Sequence, residues 1–287
     1  VAKLFGFVQF DFAGRLPLAD GRYLADGEET VLVLKQIGAP VAPSRRRRRA
    51  RSAPAESDPA SVALTRVTVI RASSPLAGQT EAARWLDEAC EAENTVEVLA
   101  EEAIAPLNRA LHTHAVTAAD PRSRELAPEQ AERVLVGYGS GEETAAGRFT
   151  DARQVDLVPR ASSRRRRREE ELRPQERVAG VLRGREQLDT CETLLLRARA
   201  DLDAGREREA ALQLRVGLEA LLVELEDAVA DPGHESDMAA LQERRGEVGD
   251  AADAALRGSL NREQRRQVEE LLKLSERVLR RRRVLRG

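Results

Sequence analysis

Apolar residues recur with a period of two in some stretches and near 3.6 in others through the first half of this chain, and near 3.6 alone through the second, and the change falls near residue 165. Within residues 3–12, Leu4, Val8, Phe10 and Phe12 share one face of an extended chain, and Phe5, Phe7, Gln9 and Asp11 share the other. The first half of that stretch is apolar on both faces, which predicts a strand near the centre of a sheet. Asp20-Gly21 and Asp26-Gly27 are turn dipeptides around a short Arg22-Tyr23-Leu24 segment. Thr30 to Ile37 reads as a second strand, stopped by Gly38-Ala-Pro40. At Val62 to Ile70 the alternation resumes, with Val62, Leu64, Arg66 and Thr68 opposite Ala63, Thr65, Val67 and Val69.

From Gln79 to about Ala115 the period is helical. Asn94 followed by Glu97 is the spacing of a capping box and divides this stretch into two helices, the second of which Pro106 is expected to kink. Strand pattern returns at Ala131 to Tyr138 and at Phe149 to Val158. Strands come first and last, with helices between and no regular strand-helix alternation. Residues 1–158 are therefore expected to form an α+β domain with a mixed or antiparallel sheet.

Beyond residue 173 the pattern is helical throughout. Pro174 suits a first helical position, and Val178, Val181, Leu188, Cys191, Leu195 and Leu202 predict one helix ending at Gly205. Ala210 to Val229 predicts a second, stopped by Asp231-Pro232-Gly233. Met238, Leu241, Arg245, Val248, Ala252 and Ala255 lie at near-heptad spacing on a third. Asn261 and Gln264 cap a fourth, whose seam is Val268, Leu271, Ser275 and Val278. Residues 174–287 are thus expected to form an all-α, four-helix bundle-like domain.

Composition narrows the cores: aromatics are 3% of the chain, so Leu, Val and Ala must supply most of the packing. A formal net charge of −2 gives no global attraction to nucleic acid or membrane. Positive charge is local instead. Arg45, Arg46, Arg47, Arg48, Arg49 and Arg51 stand in a proline-rich insertion at 40–60, and Arg164, Arg165, Arg166, Arg167 and Arg168 in a linker at 159–173 where Glu169 to Glu171 answer them. Only Lys3, Lys35 and Lys273 are lysine, so arginine is this chain's default cation and its choice says little about bidentate recognition. Both runs read first as solvated linkers and second as polyanion-binding segments.

Chemistry-bearing motifs are few. Gly137-Tyr-Gly139-Ser-Gly141 follows a strand as a phosphate-cradling loop does, but Glu142 and Glu143 oppose an anion, and the stretch reads as a glycine-rich hairpin. His112 and His114 are two apart and fall on different faces of a helix, unlike the i, i+4 pair of a metal site. Arg109 and His114 match the Arg-x4-His spacing of a class of helical RNases, a match that abundant arginine produces by chance. His234 reads as an exposed residue at a helix start. Cys90 and Cys191, far apart on apolar helix positions, read as small buried hydrophobes in a reducing compartment. No cofactor and no metal ligand set is expected. Without an apolar signal core or a membrane-length apolar run, a cytoplasmic setting is expected.

Residues 198–221, with Leu202, Gly205, Ala210, Leu214 and Leu218 at packing points, resemble one tetratricopeptide hairpin, without a second copy at the spacing a solenoid requires. Phe7-Val-Gln-Phe10, Gly21-Arg-Tyr23, Val31-Leu-Val-Leu34 and Gly137-Tyr-Gly139-Ser-Gly141-Glu142 are similar to uncharacterised intracellular proteins of GC-rich bacteria. That resemblance implies a bacterial setting and no residue roles. The expected function is a non-enzymatic interaction or scaffold protein, with a protein partner or self-association through residues 174–287 and no membrane. The alternatives are a nucleic-acid-binding protein using the two arginine runs, and an RNA- or nucleotide-directed hydrolase using Arg109 and His114.

Overall fold

The computed structural model describes residues 3–38, 63–91, 95–122, 124–157, 175–225 and 231–286. The chain divides into two compact units, Val1–Ala161 and Ser162–Gly287, close to the change of hydrophobic period. Both arginine runs and Asn94 lie outside the described residues.

In the first unit the elements run β1 (Leu4–Ala13), β2 (Gly21–Ala25), β3 (Thr30–Ile37), β4 (Leu64–Leu76), α1 (Gln79–Glu91), α2 (Thr95–Thr117), β5 (Arg133–Ser140), α3 (Gly141–Ala145) and β6 (Asp151–Val155). The strands form one antiparallel sheet of order β2-β3-β4-β1-β5-β6, which makes this an α+β unit and puts β1 inside it. Alternation decides what each face meets. Val8, Phe10 and Phe12, with Val67, Val69 and Val134, pack against Leu86 of α1 and Leu107 of α2 in one core. On the opposite face Phe149 stacks on Phe7 with ring centroids 4.5 Å apart. Glu142 of α3 reaches Arg22 of β2 at 2.8 Å across the same face. α3 and the loop after it therefore close one end of that face.

Helix α2 runs through Pro106 without interruption, with Pro106 itself buried. The glycine-rich stretch belongs to the β5–β6 hairpin, in its first strand rather than in its loop. Gly137 and Gly139 belong to β5, and α3 opens at Gly141, but with five residues it is too short to present an array of free amides to a phosphate.

The second unit contains a helical segment at 175–182 (α4), then α5 (Thr190–Asp203), α6 (Glu207–Glu224), α7 (Pro232–Glu243), α8 (Arg245–Arg257) and α9 (Arg262–Arg286). Cys191, Leu195, Leu214, Leu218, Leu221, Leu241, Val248, Val268, Leu271 and Val278 make its core. The α5–α6 hairpin turns at Gly205, whose φ of +73° suits the residue after a helix end. Glu224, the last residue of α6, accepts hydrogen bonds from the Thr190 (3.1 Å) and Cys191 (2.9 Å) amides and so caps α5 from a neighbouring helix. Asn261 and Gln264 cap α9 reciprocally, each amide donating to the other side chain at 3.0 and 2.9 Å.

Two helix expectations need correction. The helix expected to run from Pro174 to Gly205 is broken at 183–189, and Val178 and Leu188 are exposed. Arg183, Gly184 and Arg185 follow α4, and Gly184 at φ +69° ends it. The expected third helix is two, α7 and α8, joined at Arg244, so the described helices exceed four. Arg244 is common to both ends and pairs with Glu247 of α8 (2.8 Å) and Glu270 of α9 (3.2 Å), which ties the junction to both helices.

Cys191 is buried, and burial followed by its hydrogen bond to Glu224 pushes its thiol pKa up to about 12. Cysteine in an unfolded chain ionises near about 8.5. Above that pH the unfolded state loses a proton that the native state keeps, so stability falls as pH rises from about 9 towards 12. The urea midpoint is expected to drop between pH 8 and pH 10.5, and to drop less in Cys191→Ala. Equal drops in both proteins would contradict this assignment.

Candidate functional site

Polar residues inside a sheet draw attention first, because burial there is costly without partners. In β1, Gln9 and Asp11 are 1% and 4% exposed, on the face away from α1 and α2. The register explains how Asp11 is tolerated. Lys35, Arg66, Asp11 and Arg133 are successive Cα partners across β3, β4, β1 and β5, a single row across the sheet. Arg66 donates from Nε (2.8 Å) and Nη2 (2.9 Å) to the two oxygens of Asp11, a bidentate pair. Arg133 adds Nε at 3.1 Å and Nη2 at 3.0 Å to Oδ2. The hydrogen bond to Asp11 raises the Arg66 pKa further above its ordinary value, so this guanidinium stays charged.

Two residue pairs further along, on the same face, Thr68 Oγ1 donates to Gln9 Oε1 at 3.2 Å. Gln9 Nε2 has no partner, although it is buried. An orphaned buried amide costs roughly 1–3 kcal/mol. The row carries three cations against one carboxylate, and Lys35 is exposed with no ion pair among the described residues. Sequence patterning had placed Gln9 and Asp11 on one face of β1, and Arg66 and Thr68 on one face of the later strand. What it lacked was the register that brings them together.

Arg109 and His114 are not brought together. Arg109 is paired with Asp26, in the 3-10 turn after β2. His114 is half-buried near the end of α2, its Nδ1 has no partner, and no hydrogen bond joins it to Arg109 among the described residues.

His234 corrects another expectation. It is 2% exposed rather than solvent-facing, with neither ring nitrogen hydrogen-bonded. Asp231, the residue expected only to stop the preceding helix, caps α7 by accepting from the His234 amide at 2.8 Å. Arg281 of α9 pairs with Asp231 (3.2 Å) and Asp237 (3.5 Å), and Arg277 pairs with Asp237 (2.7 Å). These carboxylates are committed to guanidiniums. Among the described residues no group of three His, Cys, Asp or Glu side chains is placed to hold a metal ion.

The outer surface of the helical unit is the third feature. Of the ten large apolar residues that stand exposed among the described residues, seven lie in this unit. Val216 and Val223 of α6, 56% and 76% exposed, are seven apart and so share one face. A shallow groove beside them, between α6 and α8, is lined by Arg215, Glu219, Arg245, Gly246 and Gly249. Arg215 pairs with Asp253 at 2.7 Å, and Arg245 with Glu219, across that groove.

No protein-family model, no curated protein and no solved structure matches this chain. No helix among the described residues is long and apolar enough to cross a membrane.

Proposed function

We propose that this chain is a non-enzymatic interaction protein that self-associates through the outer face of α6. The observation that carries the reading is the exposed pair Val216 and Val223, seven residues apart on one face of α6. Turned end for end about the midpoint between Glu219 and Ala220, α6 places Val216 of one copy on Val223 of the other. A two-fold contact between copies requires such self-complementarity. The remaining exposed apolar residues of the unit, Leu196 and Leu256 among them, enlarge the surface available to a second copy.

Light scattering over a range of concentrations tests it. A dimer is expected, and Val216→Glu with Val223→Glu is expected to weaken it by at least about a hundredfold, since each change buries a charge against its own image. Both sites are exposed in the single chain, so far-UV circular dichroism should be unchanged, and the urea midpoint should match that of the native chain at concentrations where the native chain is monomeric. A strict monomer at every concentration, or a dimer indifferent to both changes, overturns the proposal.

A further inference from the structure

We infer that the sheet of the first unit carries a site for a phosphoryl oxyanion, built on the Lys35, Arg66, Asp11 and Arg133 row. This inference rests on different residues from the self-association proposal and stands without it.

The row has hydrogen-bonding capacity that the protein does not use. Asp11 engages Nε and Nη2 of each guanidinium, leaving Nη1 of Arg66 and Nη1 of Arg133 without an acceptor among the described residues. Lys35 is the Cα partner of Arg66, so two cations stand side by side across β3 and β4, an arrangement that disfavours the free protein. Gln9, on the same face two residue pairs along, has an amide nitrogen with no partner. Both unfavourable features disappear if an anion with several acceptor oxygens sits among these donors. α3 and Phe149 close the Phe7 end of the face, and the row lies towards the other end, where Arg66 and Arg133 keep 28% and 40% of their side chains exposed.

The chemistry selects the anion. A free carboxylate would compete with Asp11, which is tethered in bidentate register with Arg66 and fills that role already. What remains are single N–H donors from separate side chains and a net charge of two positives in the row. A dianion with three terminal oxygens meets those donors better than a planar monoanion does. Asp11 then orients the two guanidiniums and limits their charge, while Lys35 supplies attraction at the exposed end.

Titration calorimetry on the full chain with inorganic phosphate tests the site, with acetate as the carboxylate control. Runs of arginine attract phosphate without a built site, so the same titration is run with Arg45–Arg49, Arg51 and Arg164–Arg168 replaced by serine. Phosphate binding is expected to survive that replacement, and acetate is expected to give no heat. Lys35→Ser and Gln9→Leu are each expected to weaken it about tenfold, the size of one charged or buried hydrogen bond. Neither change removes an ion pair of the fold, and native far-UV circular dichroism with a cooperative urea transition confirms that folding is intact. A soluble phosphate monoester and vesicles bearing a phosphomonoester lipid distinguish the two sources of the group, and saturable binding of either that Lys35→Ser weakens supports the site. Loss of all phosphate binding with the arginine runs, or affinity unaltered in both Lys35→Ser and Gln9→Leu, overturns it.

Discussion

Asp11→Ala is expected to destabilise the first unit by about 3 kcal/mol, among the largest effects of any single change in it. Asp11 is nearly buried, and its carboxylate is the common acceptor for Arg66 and Arg133. Removing it leaves two guanidiniums close together with no anion between them, in a row that already contains Lys35. Breaking a fully buried pair costs about 3–5 kcal/mol, and the partial exposure of both arginines places this case at the lower end. Asp11→Asn keeps an acceptor without the charge and should fall between the native protein and Asp11→Ala. Arg133→Gln should cost less than either, because the bidentate Arg66 pair remains. Urea denaturation of the three variants orders them. A change below about 0.5 kcal/mol for Asp11→Ala would place the row among surface ion pairs, whose median value is that small.

The same row shows how far the sequence could be read. Alternation in residues 3–12 separated the two faces of β1 correctly, and the mixed character of the second face, with Phe7 beside Gln9 and Asp11, was already visible. A period of two says which residues share a face. It does not say which strand lies alongside, because pairing is set by tertiary contacts between residues far apart in sequence. Arg66 and Arg133, each separated from Asp11 by at least fifty residues, were therefore legible as polar strand positions and not as its partners. In the helical half the apolar period found the core positions of α5, α6 and α9 but passed across two breaks. The first, at 183–189, is a turn through Gly184, with Arg177 tied to Glu192 at 2.8 Å across it. The second is the join at Arg244, where helical spacing continues on both sides while the backbone at Arg244 itself leaves the helical region (φ −91°, ψ 6°). His234 was misplaced because a residue after a Pro-Gly pair is ordinarily exposed; here the first turn of α7 packs on α9, so its third residue is buried.

Gly137→Ala is the second change expected to have a large effect, and it explains the glycine-rich stretch without a ligand. A Cβ at Gly137 would lie 2.5 Å from the carbonyl oxygen of Asp151, 2.7 Å from Ala152 Cβ and 2.8 Å from Ala152 Cα. Two of those atoms are backbone, so no rotamer change relieves the contact. Gly137 and Ala152 are cross-strand partners, and β6 would have to move away from β5. Overpacking of this kind costs about 1–3 kcal/mol, and the rigid neighbours place Gly137→Ala at the top of that range. A Cβ at Gly139 would meet Thr144 Oγ1 at 2.6 Å, a side-chain atom, so Gly139→Ala should cost less. Gly249 in α8 is the internal control. Its Cβ would meet nothing within 4 Å, and Gly249→Ala should stabilise the helical unit by about 0.5–1 kcal/mol through helix propensity alone. Thermal denaturation of the three variants should therefore show a large loss, a smaller loss and a gain. If Gly137→Ala were neutral, close approach of β6 would not be the reason for glycine there, and the stretch would again need a functional explanation.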